Sequence, residues 1–433
     1  MRKIDLTADQ LVSALLTLSE TEPVCLLDSS GVSHLGSHLL IAGVRPLDVI
    51  EVWDTDPERT LWVLNERVAG PFATFFTLSY DLGAKLLGLR GRSSQDREPD
   101  AFVSTFDTLI VHDYDSSRTM LSGNKARFDE IEKALITAVR ERTEPHPLQN
   151  KSAASNFTRA KYIDSIDTIK ERIRAGDTYQ TNLTQQLTVP LDDGLTPAGV
   201  FQDLRRNHPA PFAAFITRGD STVVSASPER FFRIVGDKIT TSPIKGTRPR
   251  GASSEEDDAL RRELLTSVKD RAENTMIVDL LRNDLGRVCE YGSVEVEKLC
   301  DLEEHPTLFH LVSTVSGQLR RDATFADVIR ALFPCGSITG APKISTMRII
   351  DELEKTHRGL SMGAIGYSVP TGFDALEPVI DLSVAIRTMV FRDGSVTFNV
   401  GGGIVIDSDP QKEYEESLLK AKALLYALTA NLE

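Results

Sequence analysis

The sequence predicts a mixed chain of antiparallel strands and helices, on three observations. Between residues 20 and 120, short apolar runs bounded by turn residues dominate, such as Pro23-Val24-Cys25-Leu26-Leu27-Asp28 and Thr108-Leu109-Ile110-Val111-His112. Runs this short and this often interrupted are strand patterns. From 212 to 241, strand-like runs at 212–217, 222–226, 230–235 and 238–241 are separated by Arg218-Gly219-Asp220 and Gly236-Asp237, the punctuation of antiparallel hairpins. Long helices frame the later half, predicted over 257–285 and 410–429.

In chain order, apolar spacing (Phe128, Ile131, Ala134, Leu135, Val139) predicts a helix over 126–142. Residues 141–156, with Pro145, Pro147 and Lys151-Ser152-Ala153-Ala154-Ser155, lack periodicity and read as a linker. The chain thereby divides into a strand-rich part, 1–150, and a second part, 156–433. Ile163, Ile166, Ile169 and Ile173 predict a helix over 162–175, ended by Gly176-Asp177 before a strand over 180–189. Pro342 is placed at the first position of another helix.

The 433 residues are 41% apolar and 26% charged, with 49 Lys and Arg against 63 Asp and Glu, a net charge of −14. This describes a globular protein with ample core. Its acidity excludes nucleic acid and anionic membrane surfaces as partners, because no basic excess exists to release counterions. An anionic substrate would demand local positive charge from a metal ion, a few Lys or Arg, or aimed backbone N–H groups. Cys25, Cys289, Cys300 and Cys335 show neither zinc-site nor disulfide spacing. With no apolar stretch of signal or membrane-span length, the expected compartment is the cytoplasm.

Asp270 and Glu273 lie three apart in one predicted helix, and Glu413, Glu416 and Lys420 share a face of another. Apposed, the acidic pairs would form a hard-oxygen cage suited to Mg²⁺; from spacing alone solvated charged faces are the favoured reading. Lys245, in Pro243-Ile244-Lys245-Gly246-Thr247-Arg248-Pro249-Arg250, sits at a strand end entering a cationic turn, as a nucleophilic amine or a surface lysine. Gly401-Gly402-Gly403 lets backbone N–H groups approach an anion or forms a plain bulge. His310 reads as a strand histidine or a catalyst.

In their order, these segments resemble the chorismate-utilising enzymes, most closely the branch that forms aminodeoxychorismate (component I). The resemblance runs through Gly176 to Thr184, Ser227-Pro228-Glu229-Arg230-Phe231, Pro243 to Arg250, Lys269 to Asn274 with Asp279 to Gly286, His310 to Ser313, Gly336 to Lys343, Gly363 to Tyr367, Ala385 to Thr388, the glycines 401–403, and Glu413 to Lys420. It is dense over 156–433, the implied chorismate-binding catalytic core. It is looser before that, where Leu26-Leu27-Asp28-Ser29 resembles the family's Leu-Leu-Glu-Ser element. The resemblance implies an α+β fold, with antiparallel sheets packed face to face and helices outside.

It also implies roles. Mg²⁺ would lie between the acidic helices on Glu273 and Glu416, with Asp270 and Glu413 direct or through water, and would hold the ring carboxylate of chorismate. Tyr367, Arg387, Lys420 and the N–H groups near Gly401 and Gly403 match positions that bind the enolpyruvyl carboxylate. Glu229 matches a general acid/base near the C4 hydroxyl; Thr247 and His310 match polar residues lining the ring. Lys245 stands where aminodeoxychorismate-forming members have lysine and anthranilate-forming members alanine. Its amine would add at C2 as Glu229 protonates the departing C4 hydroxyl, and ammonia would then attack C4 and expel the lysine. Gln180 occupies the place of the water-activating lysine of isochorismate- and salicylate-forming members. Two departures are Cys335, in place of glycine before Gly336, and Asp28, in place of glutamate. None of the cysteines has a nucleophile-elbow context, so ammonia is expected from a separate glutamine amidotransferase subunit (component II). The product 4-amino-4-deoxychorismate would feed p-aminobenzoate and folate synthesis. Anthranilate synthesis and a silent member that only holds the amidotransferase are the alternatives.

Overall fold

A computed structural model describes residues 1–33, 38–89, 98–139, 151–191, 194–304 and 308–432. Among these the strands form two large sheets. In the first, the order is Arg2–Ile4, Arg118–Gly123, Thr108–Asp113, Leu39–Val44, Val24–Asp28, Phe212–Arg218, Ser221–Ser227, Thr388–Arg392, Ser395–Ile404, Gln180–Pro190, Lys151–Ser155 and Ala430–Leu432. The second runs Ile244–Pro249, Leu308–Gln318, Lys238–Thr241, Arg230–Val235, Val379–Val384, Ala364–Val369, Ala73–Leu78, Ala101–Phe106 and Asp48–Val52. Both sheets interleave strands from either side of residue 150. The joints are long-range: Leu26 lies opposite Phe215 in one sheet and Phe75 opposite Tyr367 in the other.

The sheets pack face to face, as the α+β expectation requires. Cys25, Ile41, Ala214 and Val223 of the first share a buried core with Phe102, Phe106, Ile365 and Val379 of the second. Each outer face is covered by helices. Ala8–Leu18, Phe128–Ala138, Pro197–Asn207 and Pro410–Ala427 bury apolar residues against the first sheet. Pro57–Val68, Val268–Gly286 and Phe325–Leu332 do so against the second. Side chains that alternate along a strand serve both layers, which is why these sequences read as short near-continuous apolar runs.

The hairpins at 212–241 form as predicted. Three predictions need correction. Residues 257–285 are not one helix but two, Ser254–Thr266 and Val268–Gly286. At the break Ser267 is extended, and its hydroxyl accepts the Asp270 N–H; a serine able to cap its own backbone competes with helix continuation. Of the linker, 141–150 lie outside the described residues, and Lys151–Ser155 is a strand. Pro342 is the N-cap of Lys343–Leu353, one position before the helix.

Candidate active site

The segment carrying Lys245 is a strand rather than a turn. Ile244–Pro249 pairs with Leu308–Gln318 so that Thr247 lies opposite His310, and Thr247 Oγ1 is 2.9 Å from His310 Nδ1. The register breaks between Ile244 and Thr247, where Gly246 takes φ +88°. A Cβ there would also stand 3.0 Å from Asp270 and Leu264, so glycine is required twice over. This bulge re-aims Lys245 out of the ladder, and its Nζ donates to Ser337 O at 3.2 Å. Arg248 and Arg250 do not join it: Arg248 pairs with Glu263 and Asp270, and Arg250 with Asp257.

Glu229 follows the Ser227-Pro228 corner between the two sheets. Its N–H is received by Ser227 Oγ, its carbonyl accepts Val384 N–H at 3.0 Å, and next to it Arg230 is tied to buried Asp381. The carboxyl is buried, and Oε1 has no hydrogen-bond partner among the described residues. Burial pushes its pKa above the usual carboxylate range, although Lys245, Ser337 and the Ile244 backbone oppose that. A carboxyl held toward its protonated form beside an amine is a proton donor in waiting.

The three glycines lie in an unbroken strand, not a bulge: Gly403, Gly402 and Gly401 pair in register with Asn182, Leu183 and Thr184. A Cβ on Gly403 would come 2.4 Å from Gln180 Nε2, and one on Gly401 would strike Leu183 O. Asn399 N–H turns away from that partner strand to Ser361 Oγ. By the two-residue period, the N–H groups of Gly401 and Gly403 point the same way, along an edge with no strand neighbour beyond Thr397 among the described residues. Gln180 is fully buried, and neither of its amide atoms has a partner among the described residues. Arg387, in left-handed backbone at φ 49°, makes no side-chain hydrogen bond or ion pair among the described residues, and burial alone lowers its pKa. Buried polar groups are ordinarily satisfied, so the Gln180 amide beside Gly403, with the free N–H edge, marks a place for a polar ligand.

The two acidic helices do come together. Lys269 Nζ lies 3.8 Å from Glu273 and 3.6 Å from Glu413 on the other helix. Burial raises the pKa of Glu273 despite Lys245 and Lys269. Burial also acts upward on Glu416, but Lys420 at 2.8 Å and the two other lysines outweigh it and hold that carboxyl below its usual value. Glu413 accepts from Ser408, and Lys420 Nζ donates to Gly401 O, linking the acidic cluster to the glycine strand. Among the described residues no three metal-ligating side chains converge on one point. Asp270 is engaged by Arg248. Glu273 and Glu413 share Lys269, while Glu416 pairs with Lys420; the donors are all hard oxygen from two helices, the type of ligand Mg²⁺ takes.

Tyr367 is not brought to this cluster. It pairs with Asp381, while Ala364, at the other end of its strand, meets Val384, three residues before Arg387. Its ring lies against Phe75 and lines a small cavity with Asp28, Ser29 and Phe212. Three further residues put the strand roughly 10 Å along, and their spacing in sequence conceals this. A cavity of about 430 Å³ has Arg358, Glu354 and Asn399 in its wall and none of the acidic-cluster residues. Sequence reasoning missed Ser337, Lys269 and the buried Arg358–Glu354 pair at 2.7 Å. Only Lys269 had a sequence signal, as the i−4 neighbour of Glu273.

The chorismate binding enzyme family matches residues 37–426. The chain belongs to that family. Among its members, the aminodeoxychorismate synthase of Streptomyces griseus is 43% identical over 366 residues, covering 81% of this chain and 49% of that protein. The chain thus spans about half the length of that relative. Anthranilate synthase component 1 1 of Haloarcula marismortui is 36% identical over 443 residues, covering 94% and 88%. The crystal structure of anthranilate synthase component I from Streptococcus pneumoniae superposes with a TM-score of 0.76 at 28% identity, covering 90% of this chain and 93% of that one. Aminodeoxychorismate and anthranilate synthases are comparably close, so family membership leaves the reaction to the residues of the site.

Proposed function

We propose that the chain converts chorismate and ammonia to 4-amino-4-deoxychorismate, the precursor of p-aminobenzoate in folate synthesis. The observation that carries this reading is Lys245, whose amine is held on Ser337 O with the protonation-prone carboxyl of Glu229 close enough to feel its charge. Glu229 gives its proton to the C4 hydroxyl, which leaves as water, while the Lys245 nitrogen bonds to C2 and both ring double bonds shift by one position. Ammonia then bonds to C4, both double bonds return, and the lysine leaves with its electron pair. Arg387 and the Gly401 and Gly403 N–H groups hold the enolpyruvyl carboxylate, and Thr247 and His310 line the ring. Glu273, Glu413 and Glu416 would hold Mg²⁺, with Asp270 through water. When bound, the ion supplies positive charge for the ring carboxylate. No helix among the described residues is long and apolar enough to cross a membrane, and the cytoplasm is the proposed setting.

The ammonia comes from a glutamine amidotransferase subunit. All four cysteines are free and buried, and burial pushes the Cys335 thiol up to about 12, the opposite of what a glutaminase nucleophile needs. Incubation with chorismate, Mg²⁺ and ammonium, followed by mass and ultraviolet identification of the product, tests the reading. Anthranilate as the product would replace it with the second reading, which the comparable closeness of the Haloarcula marismortui protein favours.

A further inference from the structure

We propose that Arg358 is a positioning residue for Lys245: oriented by Glu354, it braces the turn whose carbonyl holds the amine. This deepens the reading of Lys245 given above and rests on it. Lys245 Nζ donates to Ser337 O at 3.2 Å, so the amine stands where the turn Gly336–Ile338 puts it. The backbone of that turn holds itself weakly. The Ile338 and Thr339 N–H groups reach Cys335 O and Gly336 O at 3.4 and 3.3 Å, beyond the ordinary range. With the Thr339 hydroxyl on Cys335 O at 3.0 Å, they close the turn on itself without fixing where it stands. Strand pairing begins only past it, where Thr339 O accepts the Asn182 N–H and Gly340 and Ala341 lie opposite Thr181 and Gln180. Ile338 lies between the acceptor of the amine and that ladder, and its carbonyl accepts Arg358 Nη1 at 3.0 Å.

The rest of the guanidinium is anchored. Nη2 donates to Asn182 O and to Glu354 Oε1, both at 2.7 Å, and Nε donates to Glu354 Oε2 at 2.9 Å. Glu354 Oε1 in turn accepts the Thr184 N–H at 2.7 Å and the Thr184 hydroxyl at 3.0 Å. Both residues are therefore tied to the strand Gln180–Pro190, which is itself fixed by unbroken register from Thr181 to Pro190 against Ser395–Ile404. The Tyr80 ring, 4.5 Å from the guanidinium carbon, holds its plane. A planar fork serves Ile338, Asn182 and Glu354 in fixed directions at once, which the point charge of a lysine cannot do. Both partners are buried, and a buried ion pair adds little stability over an apolar pair of the same shape. Its directed bonds, running from a rigid strand to the turn under Lys245, are what this pair contributes.

Arg358→Lys keeps a charge opposite Glu354 and withdraws the bond to Ile338 O, so it separates bracing from ion pairing. With chorismate and ammonium, kcat should fall about 10–100-fold, as a displacement of up to about 1 Å in a reacting group costs. KM for chorismate should stay within about threefold, because the glycine strand keeps its ladder. Without substrate, acetylation of Lys245 by acetic anhydride, followed by mass on its peptide, should speed up several-fold, while that of Lys420, which donates to Gly401 O, should not change. A purely structural pair would lower the melting temperature and leave the Lys245 rate where it was. Should Arg358→Lys fail to fold, Arg358→Met combined with Glu354→Gln, which strands no buried charge, should give the same effects. An unchanged Lys245 acetylation rate in either folded variant would overturn the proposal. Anthranilate as the wild-type product, or unchanged product from Lys245→Ala, would instead count against the proposed function, and the acetylation rates would still decide whether Arg358 braces Lys245.

Discussion

Replacing Glu229 by Gln separates the stability of this site from its chemistry. The carboxyl is buried, one oxygen lacks a partner, and its pKa stands above the ordinary 4.5. The native state therefore binds a proton that the unfolded chain releases. Stability from this group is fully present below about pH 4.5 and is lost as pH rises through the folded-state value. Gln keeps the shape without the charge. An unsatisfied buried oxygen costs roughly 1–3 kcal/mol, part of which the attraction of Lys245 offsets, so the variant should be about 1 kcal/mol more stable than the wild type at pH 8 and equal to it near pH 4.5. Turnover should move the other way: loss of a positioned acid lowers kcat by about 10²–10⁴, roughly 3–5 kcal/mol of barrier. Urea melts at the two pH values and steady-state kinetics with ammonium give both numbers. A variant less stable than the wild type at pH 8, or one with undiminished kcat, would show that Glu229 is a structural carboxylate and refute the reasoning.

Lys245→Ala should abolish a chorismate adduct, detectable by mass on the peptide containing Lys245, and stop 4-amino-4-deoxychorismate formation while chorismate still binds; unchanged product would remove the lysine from the mechanism. Glu273→Gln and Glu416→Gln should each remove most activity and weaken Mg²⁺ binding, measured by calorimetry, without lowering the melting temperature, and full activity in excess chelator would exclude the ion. Purified alone, the chain should use ammonium but not glutamine until an amidotransferase subunit is added; glutamine-dependent product from the chain by itself would contradict the partner. Arg358→Met strands buried Glu354 and frees the carbonyls of Ile338 and Asn182, so it should destabilise by about 3–5 kcal/mol, read from urea midpoints.

The candidate site residues were named through the order of short local motifs, which carries the resemblance; taken singly, the same patterns describe a surface lysine or a solvated helix face. Glu229 stands beside a Ser-Pro corner, Lys245 beside the glycine its bulge requires, and the carboxylates recur at the three-residue spacing of a helix face. The hairpins were legible for the same reason, since a two-to-four-residue turn and its flanking alternation are local. What joins these pieces is not local. Ser337 meets Lys245 from 92 residues away, and no spacing rule relates a turn to a strand in another layer. Tyr367 went astray because a motif records neighbours along the chain, while the sheet register places it opposite Asp381 rather than beside Arg387. The strand at 244–249 was hidden because its ladder lies on residues 308–312, sixty positions on, and edge pairing leaves little mark on composition. Sequence determined which groups are present and the short elements that carry them. Packing of two sheets drawn from both ends of the chain decided which of those groups meet, as Lys245 meets Ser337 and Thr247 meets His310, since that depends on long-range register, which no single segment encodes.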